Sequence, residues 1–161
     1  MVQNSMKGKI MKVKIFDLDH TVIDSGHRQL TKPCGSLDLE HWFENCTREK
    51  IFSDELLPLA EEMRNSFGHY LVVICTARTM TSHDWDFLEA HSLQFDKALF
   101  RANGDMRPDG EMKRQLLGDF LEEMCLQGSD CVFYEDNLSV HEAVTPLGIT
   151  CIHPEDAVHA E

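Results

Sequence analysis

The sequence is short of positive charge: 15 Lys and Arg stand against 28 Asp and Glu, a formal net charge of −13. That deficit excludes a protein that coats DNA or RNA through a broad basic face, although a few local arginines suffice to grip one phosphorylated end. The six cysteines form no Cys-x-x-Cys pair, and the nine histidines add no zinc-ligand spacing, so neither a structural zinc site nor a disulfide framework is expected. Cys75 and Cys131 sit in apolar runs and read as buried thiols. No apolar run approaches the length of a membrane span, and residues 1–9 are too polar for a signal peptide. The expected setting is reducing and cytoplasmic, with no membrane partner. Internal repeats and low-complexity tracts are also missing. Gly8-Lys9 lacks the preceding glycine of a P-loop and is followed by Ile10 rather than Ser or Thr, so no nucleotide-kinase motif is present.

Residues 10–24 organise the rest. Apolar residues alternate through Met11, Val13 and Ile15, and Phe16 follows, which predicts a strand entering a buried sheet over about 10–17. The strand ends in Asp17 and Asp19, with Thr21 beyond. Carboxylates at the carboxyl end of a parallel strand stand where open α/β sheets build their sites. One can attack phosphorus, and the second can give and take a proton. A solvated polar turn is the bland alternative for these residues alone.

The remaining elements alternate between helix and strand. Residues 20–50 are poor in regular structure, except for a helical piece over Asp38–Cys46 whose Leu39, Trp42 and Phe43 either close over the site or plug the side of the domain. A helix is expected to open at Ser53-Asp54-Glu55 and to end at Gly68. Strands follow at Tyr70–Cys75, Lys97–Arg101, Cys131–Tyr134 and Thr150–Ile152, with helices at about 82–91, 110–127 and 139–147, and a loose tail after Pro154. The expected fold class is α/β: a doubly wound parallel sheet in one domain, with a core of about 10–25 and 51–153 and a minimal cap-like insertion over about 26–50.

Polar groups then gather at successive strand and helix mouths: Asp17 and Asp19, Thr76 with Arg78, Lys113, and Glu135 with Asp136. In phosphoryl transfer Asp17 would be the nucleophile and Asp19 the acid and base. Thr76 and Lys113 would bind phosphate oxygens. Asp17, Glu135, Asp136 and the backbone carbonyl of Asp19 would hold Mg²⁺. Singly each is weak; their order and strand-end placement carry the reading.

This set resembles the haloacid dehalogenase-like (HAD) phosphohydrolase superfamily. The resemblance rests on Phe16-Asp-Leu-Asp-His-Thr21, Val73-Ile-Cys-Thr76, Lys113 and Tyr134-Glu-Asp136, and covers about residues 10–152. His20 departs from it, since glycine is frequent there. Three arginines narrow it toward the 3′-phosphatase domain of bacteriophage polynucleotide kinase-phosphatase: Arg28 after the first motif, Arg78 in Thr76-Ala-Arg78, and Arg101 ahead of Gly104-Asp105-Met-Arg107, Asp109 and Lys113. Glu135 and Asn137 replace that relative's aspartate and arginine. The resemblance implies a Mg²⁺-dependent phosphatase that removes 3′-phosphate from polynucleotide ends. Arg28, Arg78 and Arg101 would then be substrate contacts, with Asp109 positioning Lys113. It suggests a phage or bacterial source, hence host cytoplasm, and any kinase or ligase would be a separate protein. A nucleotidase or small-molecule phosphatase is the alternative enzyme, to which the net charge leans. A non-catalytic HAD-like binding module is the alternative of another class.

Overall fold

The computed structural model describes residues 13–159. The predicted start of the first strand, at residues 10–12, lies outside them. Its centre is a five-stranded parallel sheet of β1 (Val13–Phe16), β4 (Leu71–Thr76), β5 (Lys97–Phe100), β6 (Cys131–Tyr134) and β7 (Thr150–Ile152), in the order β5-β4-β1-β6-β7. The helices are α1 (Leu39–Glu44), α2 (Arg48–Ile51), α3 (Leu59–Ser66), α4 (Ser82–Ala90), α5 (Asp109–Glu123), α6 (Leu138–Val144) and α7 (Pro154–His159). Two short antiparallel strands, β2 (Ile23–Asp24) and β3 (Glu55–Leu56), stand beside the sheet. This is the α/β doubly wound architecture the sequence predicts. Among the described residues no helix is long and apolar enough to cross a membrane.

The pleat sorts the core into two layers. Val13 and Ile15 of β1, Val73 and Cys75 of β4, and Cys131 and Phe133 of β6 face Leu117, Phe120 and Leu121 of α5 and Val140 and Val144 of α6. Phe16, Val72, Ile74 and Tyr134 face the other way, against Leu59, Ala60 and Met63 of α3 and Phe87 and Leu88 of α4. Successive residues point to opposite faces of a strand, so a sheet covered on both sides needs apolar residues at every position. That is why β1, β4 and β6 read as near-continuous apolar runs.

The order of the strands positions the site. From β1 the chain crosses to β4 and β5 on one side, then returns to place β6 and β7 on the other. The reversal leaves a crevice at the carboxyl ends of β1 and β6, the usual ligand position in open α/β sheets. Asp17 follows β1 and Glu135 follows β6. Residues 25–54 form an excursion between β2 and β3, carrying α1 and α2 over this end.

The structure corrects several sequence expectations. The helix expected from Ser53 begins only at Leu59. Glu55 and Leu56 instead pair with Asp24 and Ile23, and Pro58 sits at the helix start, where its missing N–H costs nothing. The tail beyond Pro154 is helical as far as His159, and Ala157 packs on the core. Helix α5 stops at Glu123 rather than about Gln127; Cys125 just beyond it has φ 55°. His20 has φ 65°, a left-handed conformation that explains why glycine suits this position.

The turn before β6 depends on one close approach. A Cβ on Gly128 would stand 2.1 Å from the Leu147 carbonyl oxygen, so the two loops touch only because residue 128 has no side chain. Gly128→Ala should cost about 1–3 kcal/mol, an overpacking penalty. Thermal denaturation should show it as a midpoint several degrees lower, at roughly 2–4 °C per kcal/mol.

Candidate active site

Asp17 lies at the end of the central strand and is 4% exposed. Its amide donates to the Tyr134 carbonyl at 3.0 Å, extending the β1–β6 ladder past the strand. Its carboxylate accepts from Lys113 Nζ at 2.9 Å and from the Thr21 hydroxyl at 3.0 Å. Lys113, carried on α5 and 2% exposed, donates its second bond to Glu135 at 2.6 Å. Asp17, Glu135 and Asp136 offer oxygens within 4.8 Å of one another.

These carboxylates crowd. Burial pushes Asp17 up to about 7, with the Glu135 charge adding and Lys113 opposing. Burial likewise raises Glu135 and Asp136. Burial works against the Lys113 charge too, but Asp17 and Glu135 outweigh it and hold the ammonium charged. Three carboxylates around one lysine leave an excess of negative charge and an all-oxygen donor set, which fits a hard divalent cation such as Mg²⁺. The Asp19 carboxylate stands apart from this group, beside Arg78.

Arg78 closes the opposite side of the crevice. Its Nε and Nη2 donate to Asp19 at 2.9 and 2.7 Å, and its Nη1 donates to Asp84 at 2.8 Å. Burial alone would raise the Asp19 pKa, but the Arg78 charge, its hydrogen bonds and that of Ser25 bring it down to about 2. Asp84 is fixed in turn by the capping box of α4, accepting from the Thr81 amide and hydroxyl. Thr76, at the end of β4, is fully buried; its hydroxyl oxygen accepts from the Arg78 amide at 3.1 Å, and it does not line the cavity.

Arg28 and Arg101 are engaged within the protein. Arg28 is 1% exposed, its Nε and Nη2 both on Asp54 at 2.9 and 2.8 Å, with its guanidinium 4.3 Å from the Trp42 ring centre. It does not line the cavity. Arg101 does line it, but donates to the carbonyls of Ala77, Asp105 and Arg107 and to the Asp109 carboxylate. Asp109 therefore holds Arg101, and the groups that position Lys113 are Asp17 and Glu135.

The crevice opens into a cavity of about 480 Å³. Asp17, Asp19, Arg78, Lys113, Glu135 and Asp136 line its polar end; Leu39, Trp42, Phe43 and Met106 supply apolar wall. Two residues escaped the sequence reading. Asp54, read as a helix cap, is the buried carboxylate that joins Arg28 to Arg78, and no local pattern marks that role. Met106 sits in a turn with no apolar periodicity to flag it.

A family model described as bacteriophage T5 5′-deoxynucleotidase matches residues 2–102. The chain belongs to this family. A 5′-deoxynucleotidase of Escherichia phage T5 is 40% identical over 92 residues, a match covering 53% of this chain and 37% of the phage protein, so the chain aligns with well under half of that relative's length. The family match contains Asp17, Asp19, Thr76, Arg78 and the insertion, and stops short of Lys113, Glu135 and Asp136. Solved structures agree on the fold. A HAD-superfamily hydrolase from Geobacter sulfurreducens superposes with a TM-score of 0.66 at 15% identity, over 91% of this chain and 88% of that one. A chain of the Pnkp1/Rnl/Hen1 RNA repair complex gives 0.61 at 23% identity, over 89% of this chain and 42% of that one. The fold is thus that of the HAD-superfamily hydrolases.

The weakest point for substitution is Asp54, whose side chain is wholly buried between two guanidinium groups. Asp54→Ala should cost about 3–5 kcal/mol in urea unfolding, because it leaves the buried Arg28 charge without its carboxylate, while Arg78 keeps Asp19 and Asp84. The double variant with Arg28→Met should recover part of that loss, with the coupling read from the mutant cycle.

Proposed function

We propose that this chain is a Mg²⁺-dependent phosphomonoesterase acting on deoxynucleoside 5′-monophosphates through an aspartyl-phosphate intermediate. The observation that carries the reading is the Asp17–Lys113–Glu135–Asp136 cluster opening into a cavity with an apolar outer wall. Family membership supports the nucleotide as substrate class. In this reading residues of about 26–50 act as a small cap on a single-domain core.

An oxygen of the Asp17 carboxylate attacks phosphorus and the ester P–O bond breaks. Asp19 gives its proton to the departing 5′-oxygen. Asp19 then takes a proton from a water whose oxygen attacks phosphorus; the Asp17–phosphorus bond breaks, phosphate is released and the Asp17 carboxylate is restored. Lys113 faces the charge that develops on the phosphoryl oxygens, whereas the buried Thr76 hydroxyl, outside the cavity, braces the Arg78 amide instead. A cation held by Asp17, Glu135 and Asp136 would supply Lewis-acid charge neutralisation. Asp19 is paired with Arg78, so the entering phosphate dianion competes for that guanidinium, and the exchange frees Asp19 to take up a proton.

Removal of a 3′-phosphate from a polynucleotide end is the second reading. The order of Arg28, Arg78 and Arg101 favours it. Against it, Arg28 is buried on Asp54, Arg101 is committed to backbone carbonyls and Asp109, and the net charge is −13. Few cations are left to follow a phosphodiester chain.

The test is phosphate release with Mg²⁺ from deoxynucleoside 5′-monophosphates, beside 5′- and 3′-phosphorylated oligonucleotides. Release should be greatest from the monophosphates, be abolished by a chelator, and fall by about a thousandfold or more in Asp17→Asn. Preference for the 3′-phosphorylated oligomer would transfer the assignment to the second reading. No release from any of these substrates would sink both.

A further inference from the structure

We propose that Phe43, Leu39 and Met106 form a clasp for the nucleobase, an inference that rests on the nucleotide reading above. Large apolar side chains in water are informative when they share one concave surface. Phe43 is 56% exposed, Leu39 43% and Met106 72%, and all three line the cavity that contains Asp17 and Lys113. Leu39 and Phe43 stand on α1 of the insertion, whereas Met106 comes from the loop between β5 and α5. Two separate segments therefore present apolar groups to one space.

Both segments are held. Helix α1 is capped by Asp38, which accepts from the His41 amide, and is anchored by Trp42, drawn inward over Arg28 to 8% exposure. The loop that carries Met106 is clamped on both sides, because Arg101 donates to the carbonyls of Asp105 and Arg107 while the Arg107 side chain holds the Asp105 carboxylate. The exposed faces of Phe43 and Met106 are thus preorganised and not collapsed onto the core. A ligand suited to this cavity carries an anion at one end and a flat apolar body at the other, which describes a nucleoside monophosphate. A phenyl ring and a thioether offer contact to any base face. The nearby Gln29 amide is already occupied by Ser25 and His20, so little remains there to read one base edge against another. The clasp accordingly distinguishes nucleotides from bare sugar phosphates.

The experiment is calorimetric binding to the Asp17→Asn protein, with Mg²⁺, of a deoxynucleoside 5′-monophosphate and of 2-deoxyribose 5-phosphate. The nucleotide should bind about tenfold tighter or more, as stacking on one aromatic side chain allows. Adding Phe43→Ala or Met106→Ala should collapse that ratio towards one, while Phe43→Trp should preserve it; circular dichroism checks that each variant is folded. Equal affinities in the parent, or a ratio unmoved by both alanine variants, would overturn the clasp. A ratio that collapses as expected, in a chain whose unsubstituted form releases no phosphate from the nucleotide, would support the clasp and overturn the nucleotidase assignment alone.

Discussion

One buried carboxylate, Asp54, ties the insertion to the catalytic end of the sheet. It accepts two hydrogen bonds from Arg28, one from His27 and a longer one from Arg78, whose other donors reach Asp19 and Asp84. Buried guanidinium groups are tolerable only when every donor finds a partner in good geometry. The excursion between β2 and β3 supplies Arg28 and brings Trp42 across it, and β3 begins one residue after Asp54. The wall of the cavity and the orientation of Asp19 therefore rest on the same set of charges.

The other side of the crevice carries the larger excess of negative charge. Around Arg78 and Arg28 the charges nearly match; around Lys113 there are three carboxylates. Burial makes each of the three harder to ionise, and their mutual repulsion adds to this. Such a cluster is costly for stability, and a divalent cation would relieve it. Lys113 bridges Asp17 and Glu135 at hydrogen-bond distance, which fixes the Asp17 carboxylate at the floor of the crevice.

The two halves divide the work of recognition. The polar floor is built from the ends of β1 and β6, whose pairing register fixes Asp17 beside Glu135, and from Lys113 of α5. The apolar wall is built from a six-residue helix and a loop, each braced by an arginine that is held within the protein. Arginines in such a site have two uses, and here Arg28 and Arg101 serve the scaffold.

The amino-acid sequence by itself determined the layered α/β fold and the chemical character of the site. Both rest on local patterns: unbroken apolar runs for strands buried on two faces, and polar residues where those runs stop. Strands β6 and β7 fall at the predicted residues, and Asp17, Glu135 and Asp136 meet as their strand-end positions imply, with Lys113 reaching them from α5. The tertiary structure alone decided the partners of the arginines, because ion pairs such as Arg28–Asp54 and Arg78–Asp19 join residues 26 and 59 positions apart and leave no periodic trace. It also decided that Glu55 and Leu56 form a strand, since two residues acquire that conformation only from the neighbour they pair with. Met106 became part of the cavity wall for the same reason: its place is set by the loop clamp on Arg101 and not by any property of the turn itself.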